Sequence, residues 1–268
     1  MRRKTIRAKL KQVLGLETAR ERELYRLWKL KRYTPGGTNL LGTTVVFPDS
    51  RSFLYMHEEI FERCIYEMKT ATEAPVIIDG GANIGLATMY FKRLLPRSRV
   101  IAFEPDSVIR GYFDRNIGAA GLKDVTIHPY ALWSSETTLS FAAEGADGGR
   151  VLRDGADESP VSARMEVKTK RLLDYLTGPI ELLKLDIEGA EGEVMRDCAD
   201  GLGQVKYLFV EYHSFAGRPQ SLGSILRILE GAGFKYHLSV PLFSERPFVA
   251  RKVHLGMDNQ LNVFAYRQ

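Results

Sequence analysis

The stretch VIIDGGANIGLATMYF, residues 76–91, joins an apolar run to an acidic residue, a cluster of glycines and a helical pattern. The apolar run predicts a buried strand over residues 76–79, and the spacing that follows predicts a helix over residues 84–95. The turn between them contains Asp79, Gly80, Gly81, Asn83 and Gly85. A strand, a glycine turn and a helix in this order are typical of a ligand-binding crossover in an open α/β sheet.

Apolar strand patterns alternate with helical patterns along most of the remaining chain. The strands are predicted at 99–104, 125–132, 181–187, 205–212, 234–240 and 261–266, and the helices at 107–119, 190–200 and 221–232. This alternation indicates a mostly parallel sheet covered by helices on both faces. Ahead of the sheet, two short strands are predicted at 43–47 and 52–56, and a helix at 57–71. The polar stretch 143–160 predicts a long surface loop.

Composition places the chain among globular proteins of ordinary type. Of its 268 residues, 44% are hydrophobic and 26% charged, which fits one large α/β domain with or without an extension. The two cysteines, Cys64 and Cys198, match no metal-binding spacing and indicate a reducing compartment. No apolar run approaches the length of about 20 residues that a membrane span needs. Since the N-terminus also lacks the apolar core of a secretory signal, we expect a cytoplasmic protein.

Positive charge is concentrated at the N-terminus. Residues 1–32 hold twelve Lys and Arg against three Glu, or +9, so the rest of the chain carries −4 of the net +5. The main body therefore gives no reason to expect a nucleic-acid partner. Helical spacing over residues 3–31 predicts a basic amphipathic helix that lies on an anionic membrane surface or packs on its own domain. We divide the chain into a basic helical N-terminal extension, 1–40, and a main domain, 41–268, with a turn and hinge at 34–39.

The glycine turn distinguishes between two classes of cofactor. The dinucleotide fingerprint G-x-G-x-x-G, started at Gly80, puts Ala82 where its middle glycine belongs. A carboxylate at Asp79 would repel a pyrophosphate but attract the ammonium and sulfonium groups of S-adenosylmethionine. Glu104, at the end of the next strand, can accept hydrogen bonds from ribose hydroxyls in either class. The turn therefore favours S-adenosylmethionine over NAD.

Four segments in succession, DGGANIGLATMYF, VIAFEPDS, LLKLDIEGAE and FVEYH, resemble the motifs of the FkbM-type methyltransferases. The resemblance covers roughly residues 75–235. It implies a Rossmann-like, class I methyltransferase sheet of about seven strands with the last strand antiparallel, and mostly O-methylation of sugars, polyketide-type products or glycans. It also implies site residues: a first cofactor loop formed by Asp79, Gly81, Asn83 and Gly85, a ribose ligand in Glu104, and Asp186 near the methyl donor. Gly80 departs from the family, which more often has an apolar residue there.

Methyl transfer to oxygen requires an aligned acceptor and the removal of its proton. Glu211 and His213 share one strand face by two-residue alternation, and so do Asp186 and Glu188. His213 is our first candidate for the general base, because its ordinary pKa of about 6.5 suits neutral pH. Glu211 can orient His213 or take the proton itself. Glu191 is explained as an acid that interacts with its helix dipole.

Other interpretations remain open at this stage. Asp186, Glu188, Glu211 and His213 can supply ligands to Mg²⁺ or a similar divalent metal, but no dense ligand motif requires one. We therefore interpret these carboxylates as positioning groups and assign no metal ligand. The expected partner is a small-molecule or glycan/glycolipid acceptor, and the sequence does not indicate an oligomeric state. An NAD-type oxidoreductase and a catalytically degenerate methyltransferase fold that acts as a binding module are the alternatives.

Overall fold

The computed structural model describes residues 18–143, 149–151, 163–242, 244–251, 253 and 256–267. The elements up to the middle of the chain are α1 (Ala19–Lys29), β1 (Gly36–Thr38), β2 (Val45–Phe47), α2 (Ser50–His57), a π-helical turn (Glu58–Glu62), β3 (Val76–Gly80), α3 (Leu86–Leu94), β4 (Arg99–Phe103), α4 (Ser107–Ala119), β5 (Val125–His128) and β6 (Ala131–Trp133).

The later elements are β7 (Thr138–Ala143), β8 (Arg150–Val151), β9 (Ala163–Arg171), a 3₁₀ turn (Leu172–Tyr175), β10 (Ile180–Leu185), α5 (Glu191–Asp197), a 3₁₀ segment (Ala199–Gln204), β11 (Val205–Phe215), α6 (Leu222–Gly231), β12 (Lys235–Leu242) and β13 (Met257–Tyr266). Within the described ranges, no helix combines the length and the apolar character needed to cross a membrane.

One seven-stranded sheet organises the molecule, in the order β12–β13–β11–β10–β3–β4–β5. The five adjacent strands β11, β10, β3, β4 and β5 are parallel to one another, whereas β13 runs antiparallel to both β11 and β12. The predicted sheet of about seven strands with an antiparallel last strand is therefore confirmed. The strand order reverses between β3 and β10, where Gly80 lies opposite Leu185. Open α/β sheets bind their ligands at such a reversal, beyond the carboxyl ends of the strands.

Helices cover both faces of this sheet. All six residues of β10 are buried, because apolar clusters press on both sides of the strand. One cluster includes Val194 of α5 and Leu229 of α6, and the other includes Phe91 of α3 and Phe113 of α4. Burying each such side chain stabilises the fold by about 1.5–3 kcal/mol. The loops at the strand ends are therefore supported by a rigid core.

The segment predicted as a strand at 52–56 is helical, so that prediction was wrong. Asp49 caps α2, because its Oδ1 accepts the backbone N–H groups of Arg51 and Ser52, each at 3.0 Å. Phe53 and His57, one helical turn apart, are both buried. The helix predicted over 57–71 is limited to the π-helical turn Glu58–Glu62, so that prediction was wrong from residue 63 onward.

A second, four-stranded sheet with the order β6–β9–β7–β8 lies between β5 and β10 in the chain. It was not predicted. The strand expected at 125–132 divides at Pro129, so that β5 ends in the large sheet and β6 begins the small one. The loop predicted at 143–160 contains β8, which pairs with β7, while residues 144–148 and 152–160 lie outside the described residues.

The predicted N-terminal helix is described from residue 18 onward, and residues 1–17 lie outside the described part. α1 begins with a capping box, in which the Thr18 hydroxyl accepts the Glu21 N–H and the Glu21 carboxylate accepts the Thr18 N–H. Leu27 of α1 is fully buried in the cluster that contains Phe53. The turn expected at 34–39 contains β1, which pairs with β2, so the prediction was wrong there. The domain boundary at residue 40 stays a prediction.

Asn116 of α4 connects three elements in the interior. Its Nδ2 donates to the carbonyls of Val46 and Ile84 at 3.0 and 2.8 Å, and its Oδ1 accepts the Val46 N–H at 2.8 Å. Asn116→Ala should lower the free energy of unfolding by about 3 kcal/mol, because the buried Ile84 carbonyl and the partly buried backbone groups of Val46 lose their partners. Urea denaturation measures this. Asn39→Ala is the control, since the Asn39 side chain is exposed and its Oδ1 accepts the Thr44 hydroxyl at the surface; equal losses in the two variants would refute the prediction.

Candidate active site

A cavity of about 610 Å³ opens at the carboxyl ends of the strands, where the sheet order reverses. Gly81, Ala82 and Asn83 of the glycine turn line one wall, and Glu104 and Asp106 follow from the end of β4. An apolar wall is formed by Phe103, Ala131, Leu132 and Phe141, and an acidic end by Glu59, Asp186, Glu188, Glu211 and His213. The cavity therefore has one half suited to a planar apolar group and another suited to cations and hydroxyls.

The glycine turn has backbone conformations that side chains tolerate poorly. Gly81 and Gly85 have φ angles of +76° and +88°, and Asn83 has +48°. The N–H groups of Gly81 and Ala82 both donate to the Phe103 carbonyl, at 3.1 and 2.9 Å. A Cβ on Gly81 would lie 1.7 Å from the carbonyl oxygen of Asp186. Glycine is therefore required where the turn packs against the loop after β10.

Asp79 lies beneath the glycine turn and not at its mouth. Its carboxylate is fully buried, accepts the Thr88 hydroxyl at 2.8 Å, and lies 3.2 Å from Lys184 Nζ. Lys184 Nζ also donates to the Gly81 carbonyl at 2.9 Å, so this ion pair supports the turn from below. The charge of Asp79 is balanced by Lys184, and the charge that faces the cavity comes from other carboxylates.

The seven residues predicted to hold the cofactor thus fall into two groups. Those that line the cavity are Gly81, Asn83, Glu104 and Asp186. Those outside its lining are Asp79, Gly80 and Gly85, which form the end of β3 and the start of α3.

Glu104 is held at the end of β4 by two backbone groups. Its Oε2 accepts the Asn83 N–H at 3.0 Å, and its Oε1 accepts the Asp106 N–H at 2.9 Å. Burial raises its pKa to about 7. Because each carboxylate oxygen can accept more than one hydrogen bond, Glu104 can still bind a pair of neighbouring hydroxyls from the cavity side.

Asp186 and Glu188 lie in the loop after β10, which ends at Leu185. The prediction that they share a strand face was wrong, and Glu188 has a left-handed backbone with a φ of +53°. The loop nevertheless turns both carboxylates toward the end of β11. Burial, and then the nearby Glu211 carboxylate, raise the pKa of Asp186 to about 7. Burial also raises the pKa of Glu188 well above its ordinary value.

Glu211 and His213 share one face of β11, as predicted, and both are buried. His213 Nε2 lies 3.6 Å from Glu211 Oε1 and 3.7 Å from Glu188 Oε2. Burial alone would lower the pKa of His213, but the carboxylates of Glu188, Glu191 and Glu211 outweigh it and raise the pKa well above the ordinary value. The raised pKa differs from the near-neutral value that made His213 the first candidate for the general base.

Two residues were given no role at this site from the sequence, although Glu191 lies directly behind His213 and Glu59 lies in the cavity lining. Glu191 is buried, and its Oε1 lies 3.1 Å from His213 Nδ1 and 2.9 Å from the Gly189 N–H. Its carboxylate folds back onto the preceding loop and orients His213, so the helix-dipole explanation is incomplete. Glu59, from the π-helical turn, also lines the cavity; burial, with Glu211 nearby, raises its pKa to about 7. No spacing connects Glu59 with the later motifs, and only the fold brings it there.

Comparison with known proteins gives a family match over residues 79–236, to the model described as the methyltransferase FkbM domain. Methyltransferase sdnD from Sordaria araneosa is 31% identical over 214 residues, covering 67% of this chain and 81% of that protein. The 31-O-demethyl-FK506 methyltransferase FkbM from Streptomyces tacrolimicus is 26% identical over 226 residues, covering 72% and 86%. The crystal structure of methyltransferase FkbM from Methylobacillus flagellatus KT superimposes with a TM-score of 0.48 at 13% identity, covering 81% of this chain and 53% of that one.

Proposed function

The chain belongs to the FkbM methyltransferase family, and from that premise we propose that it transfers a methyl group from S-adenosylmethionine to a hydroxyl oxygen of a small-molecule or glycan acceptor. The resemblance drawn from the four sequence motifs is thereby confirmed at the level of the family. The main support for this proposed methyl transfer is the cavity at the strand reversal. It combines a carboxylate that can bind hydroxyls, an apolar wall and an acidic end.

The two halves of the cavity fit the two halves of S-adenosylmethionine. Glu104 can accept hydrogen bonds from the ribose hydroxyls, and the wall that contains Phe103 and Leu132 suits the adenine. The ammonium and sulfonium groups favour a site rich in carboxylates, such as Asp186. A dinucleotide is disfavoured, because the same carboxylates would repel its pyrophosphate. The electrostatic preference for S-adenosylmethionine, which the sequence analysis derived from Asp79, therefore comes from carboxylates that face the cavity.

The reaction we propose is an in-line displacement. A lone pair of the acceptor hydroxyl forms the new O–C bond, the S–C bond breaks, and its electron pair converts the sulfonium to the thioether of S-adenosylhomocysteine. The hydroxyl proton passes to a carboxylate that lines the cavity. We keep Asp186, Glu211 and His213 as the proposed catalytic residues, because they lie together at the acidic end. The name of the Streptomyces relative refers to a methylated oxygen, which supports oxygen as the acceptor atom here.

Calorimetry on the full chain tests the cofactor assignment. We expect saturable binding of S-adenosylhomocysteine and no measurable binding of NAD under the same conditions. Binding of NAD alone would favour an oxidoreductase, and binding of neither would favour a degenerate fold that acts as a binding module. With cofactor binding established, methyl-labelled S-adenosylmethionine and fractionated extracts, followed by mass spectrometry, identify the acceptor and the atom that is methylated.

Replacement of Glu104 gives a pH-dependent prediction. Because burial raises its pKa to about 7, Glu104 is protonated below that pH and loses its full capacity to accept two ribose hydroxyls. Affinity for S-adenosylhomocysteine should therefore rise with pH between 6 and 8 in the wild-type protein. Glu104→Gln should weaken binding by about 1.5–3 kcal/mol and reduce this pH dependence, while the part that comes from Asp186, whose pKa is also raised to about 7, should remain. Parallel pH profiles in the two proteins, measured by calorimetry, would exclude Glu104 as the ribose ligand.

A further inference from the structure

Ligand atoms of Asp186, Glu211 and His213 all lie within 4.8 Å of one another. They come from the carboxyl ends of β10 and β11, which are adjacent parallel strands. Glu211 and His213 are buried, while Asp186 is 28% exposed toward the cavity. From this arrangement we propose that the three side chains bind a divalent cation of the Mg²⁺ or Mn²⁺ type beside the methyl acceptor. The sequence-based interpretation, which treats these carboxylates as positioning groups, assigned no metal ligand.

The orientation of His213 supports this inference independently of the two carboxylate ligands, Asp186 and Glu211. Its Nδ1 lies 3.1 Å from Glu191 Oε1, so Nδ1 carries the hydrogen of that bond. Glu191 is itself fixed by the N–H groups of Ile187 and Gly189, at 3.3 and 2.9 Å. Histidines that bind metals usually donate their second ring nitrogen to a carboxylate or carbonyl in this way.

The other ring nitrogen, Nε2, is aimed into the acidic end of the cavity. Its distances to Glu211 and Glu188, 3.6 and 3.7 Å, are longer than those of hydrogen bonds. Such separations suit two ligands that share one ion after small side-chain rotations. The His213 side chain is only 2% exposed, so a cation bound at Nε2 would be held almost entirely away from solvent.

The charge around the three residues also favours a cation. Six carboxylates line the cavity, those of Glu59, Glu104, Asp106, Asp186, Glu188 and Glu211. Lys184, on the same lining, lies 3.2 Å from Asp79 and 3.6 Å from Asp186, so its charge is shared with a carboxylate outside the cavity. A divalent ion therefore reduces the mutual repulsion of the remaining acids.

The donor set selects the kind of ion. Two carboxylates and one imidazole match Mg²⁺ and Mn²⁺ better than the thiolate-binding metals, and three protein ligands leave positions open for acceptor oxygens. An ion held by these residues would lower the pKa of a bound acceptor hydroxyl. Glu188 or Glu59, carboxylates of the same end that are outside the ligand set, would then accept the proton. This role rests on the proposed methyl transfer, whereas cation binding itself does not.

Mn²⁺ alone, added to metal-stripped full-length protein, tests the site. We expect electron paramagnetic resonance to detect saturable binding of one Mn²⁺ per chain. Echo-modulation spectra should contain the coupling of an imidazole nitrogen, and Mg²⁺ should compete. His213→Ala should remove that coupling, and His213→Ala and Glu211→Gln should each weaken binding at least tenfold. Glu191→Gln should weaken Mn²⁺ binding by about tenfold, because the Glu191 carboxylate then no longer fixes the orientation of His213.

Glu193→Gln is the matched control. Glu193 lies in the same short helix as Glu191 but pairs with Arg196, at 2.7 Å, and Ser134. This variant should bind Mn²⁺ as the wild type does. Circular dichroism of each variant establishes that it is folded, and Asp186→Asn provides a second ligand variant should Glu211→Gln fail to fold. Absence of stoichiometric binding, a spectrum without nitrogen coupling, or equal affinities in all variants would overturn the metal site. If the wild-type protein binds Mn²⁺ but does not bind S-adenosylhomocysteine, the proposed function is overturned and the metal site is not.

Discussion

Gly81→Ala is expected to reduce affinity for S-adenosylhomocysteine by more than about 100-fold and to destabilise the fold by several kcal/mol. The new Cβ would lie 1.7 Å from the Asp186 carbonyl oxygen, a separation that no packing tolerates. The φ angle of +76° adds a cost of about 1–3 kcal/mol for a residue with a side chain. The new Cβ, fixed to the backbone of the turn, would collide with the backbone of the loop after β10, so the turn and the loop must move apart. Both segments line the proposed cofactor site, and this movement would disturb it.

Gly111→Ala provides the comparison for this substitution. Gly111 lies within α4, and a Cβ added there meets no other atom within 4 Å. Alanine is the better helix former, so this variant should gain about 0.5–1 kcal/mol and bind the ligand normally. Calorimetry gives the affinities and urea denaturation the stabilities. A Gly81→Ala protein that binds like the wild type would mean that the glycine turn does not contact the cofactor.

Lys184→Met should lower the free energy of unfolding by about 3–5 kcal/mol, which is the usual cost of breaking a buried ion pair on one side. The Lys184 side chain is 3% exposed and lies 3.2 Å from a fully buried Asp79. Burial alone would lower the pKa of Lys184, but Asp79 and Asp186 outweigh it and raise the pKa, so the lysine is charged. Its removal also takes away the bond to the Gly81 carbonyl, at 2.9 Å, and binding of S-adenosylhomocysteine should weaken as well.

A double variant separates charge from packing. Asp79→Asn combined with Lys184→Met removes the stranded negative charge and should recover part of the lost stability. Arg97→Met is the exposed counterpart, because Arg97 and Glu73 are 71% and 78% exposed, and it should cost less than about 1 kcal/mol. Urea denaturation of the four proteins measures these differences. Equal losses for Lys184→Met and Arg97→Met would refute the structural role of the buried pair.

Much of the sheet followed from the sequence because its strands are short apolar runs separated by amphipathic helices. The cavity lining formed by Gly81, Asn83 and Glu104, where we propose that the cofactor binds, could be predicted for the same reason: these residues follow strand ends, where the position along the chain determines the position in the fold. Helix α2 was misassigned because its apolar residues also fit a short strand, and the cap from Asp49 decided the outcome.

The position of charge was harder to predict than the position of residues. Asp79 was expected to face the ligand, but Lys184, 105 positions later in the chain, pairs with it below the turn. His213 was identified, yet its protonation depends on Glu188 and Glu191, which approach only because the loop after β10 turns back. Glu59 reaches the site from a π-helical turn before the sheet begins. Such pairings depend on tertiary contacts, which no local pattern contains.

The small sheet formed by β6, β7, β8 and β9 suggests how one scaffold can serve different acceptors. It is inserted between two strands of the large sheet and contributes Phe141, Arg150 and Val151 to the cavity wall, whereas the glycine turn and Glu104 belong to the large sheet. An exchange restricted to β8 and β9, which keeps Leu132 and Phe141 of the apolar wall, would therefore leave the proposed methyl-donor site in place. We expect chimaeras built in this way to keep the proposed methyl donor and to acquire the acceptor preference of the protein that supplied the exchanged strands.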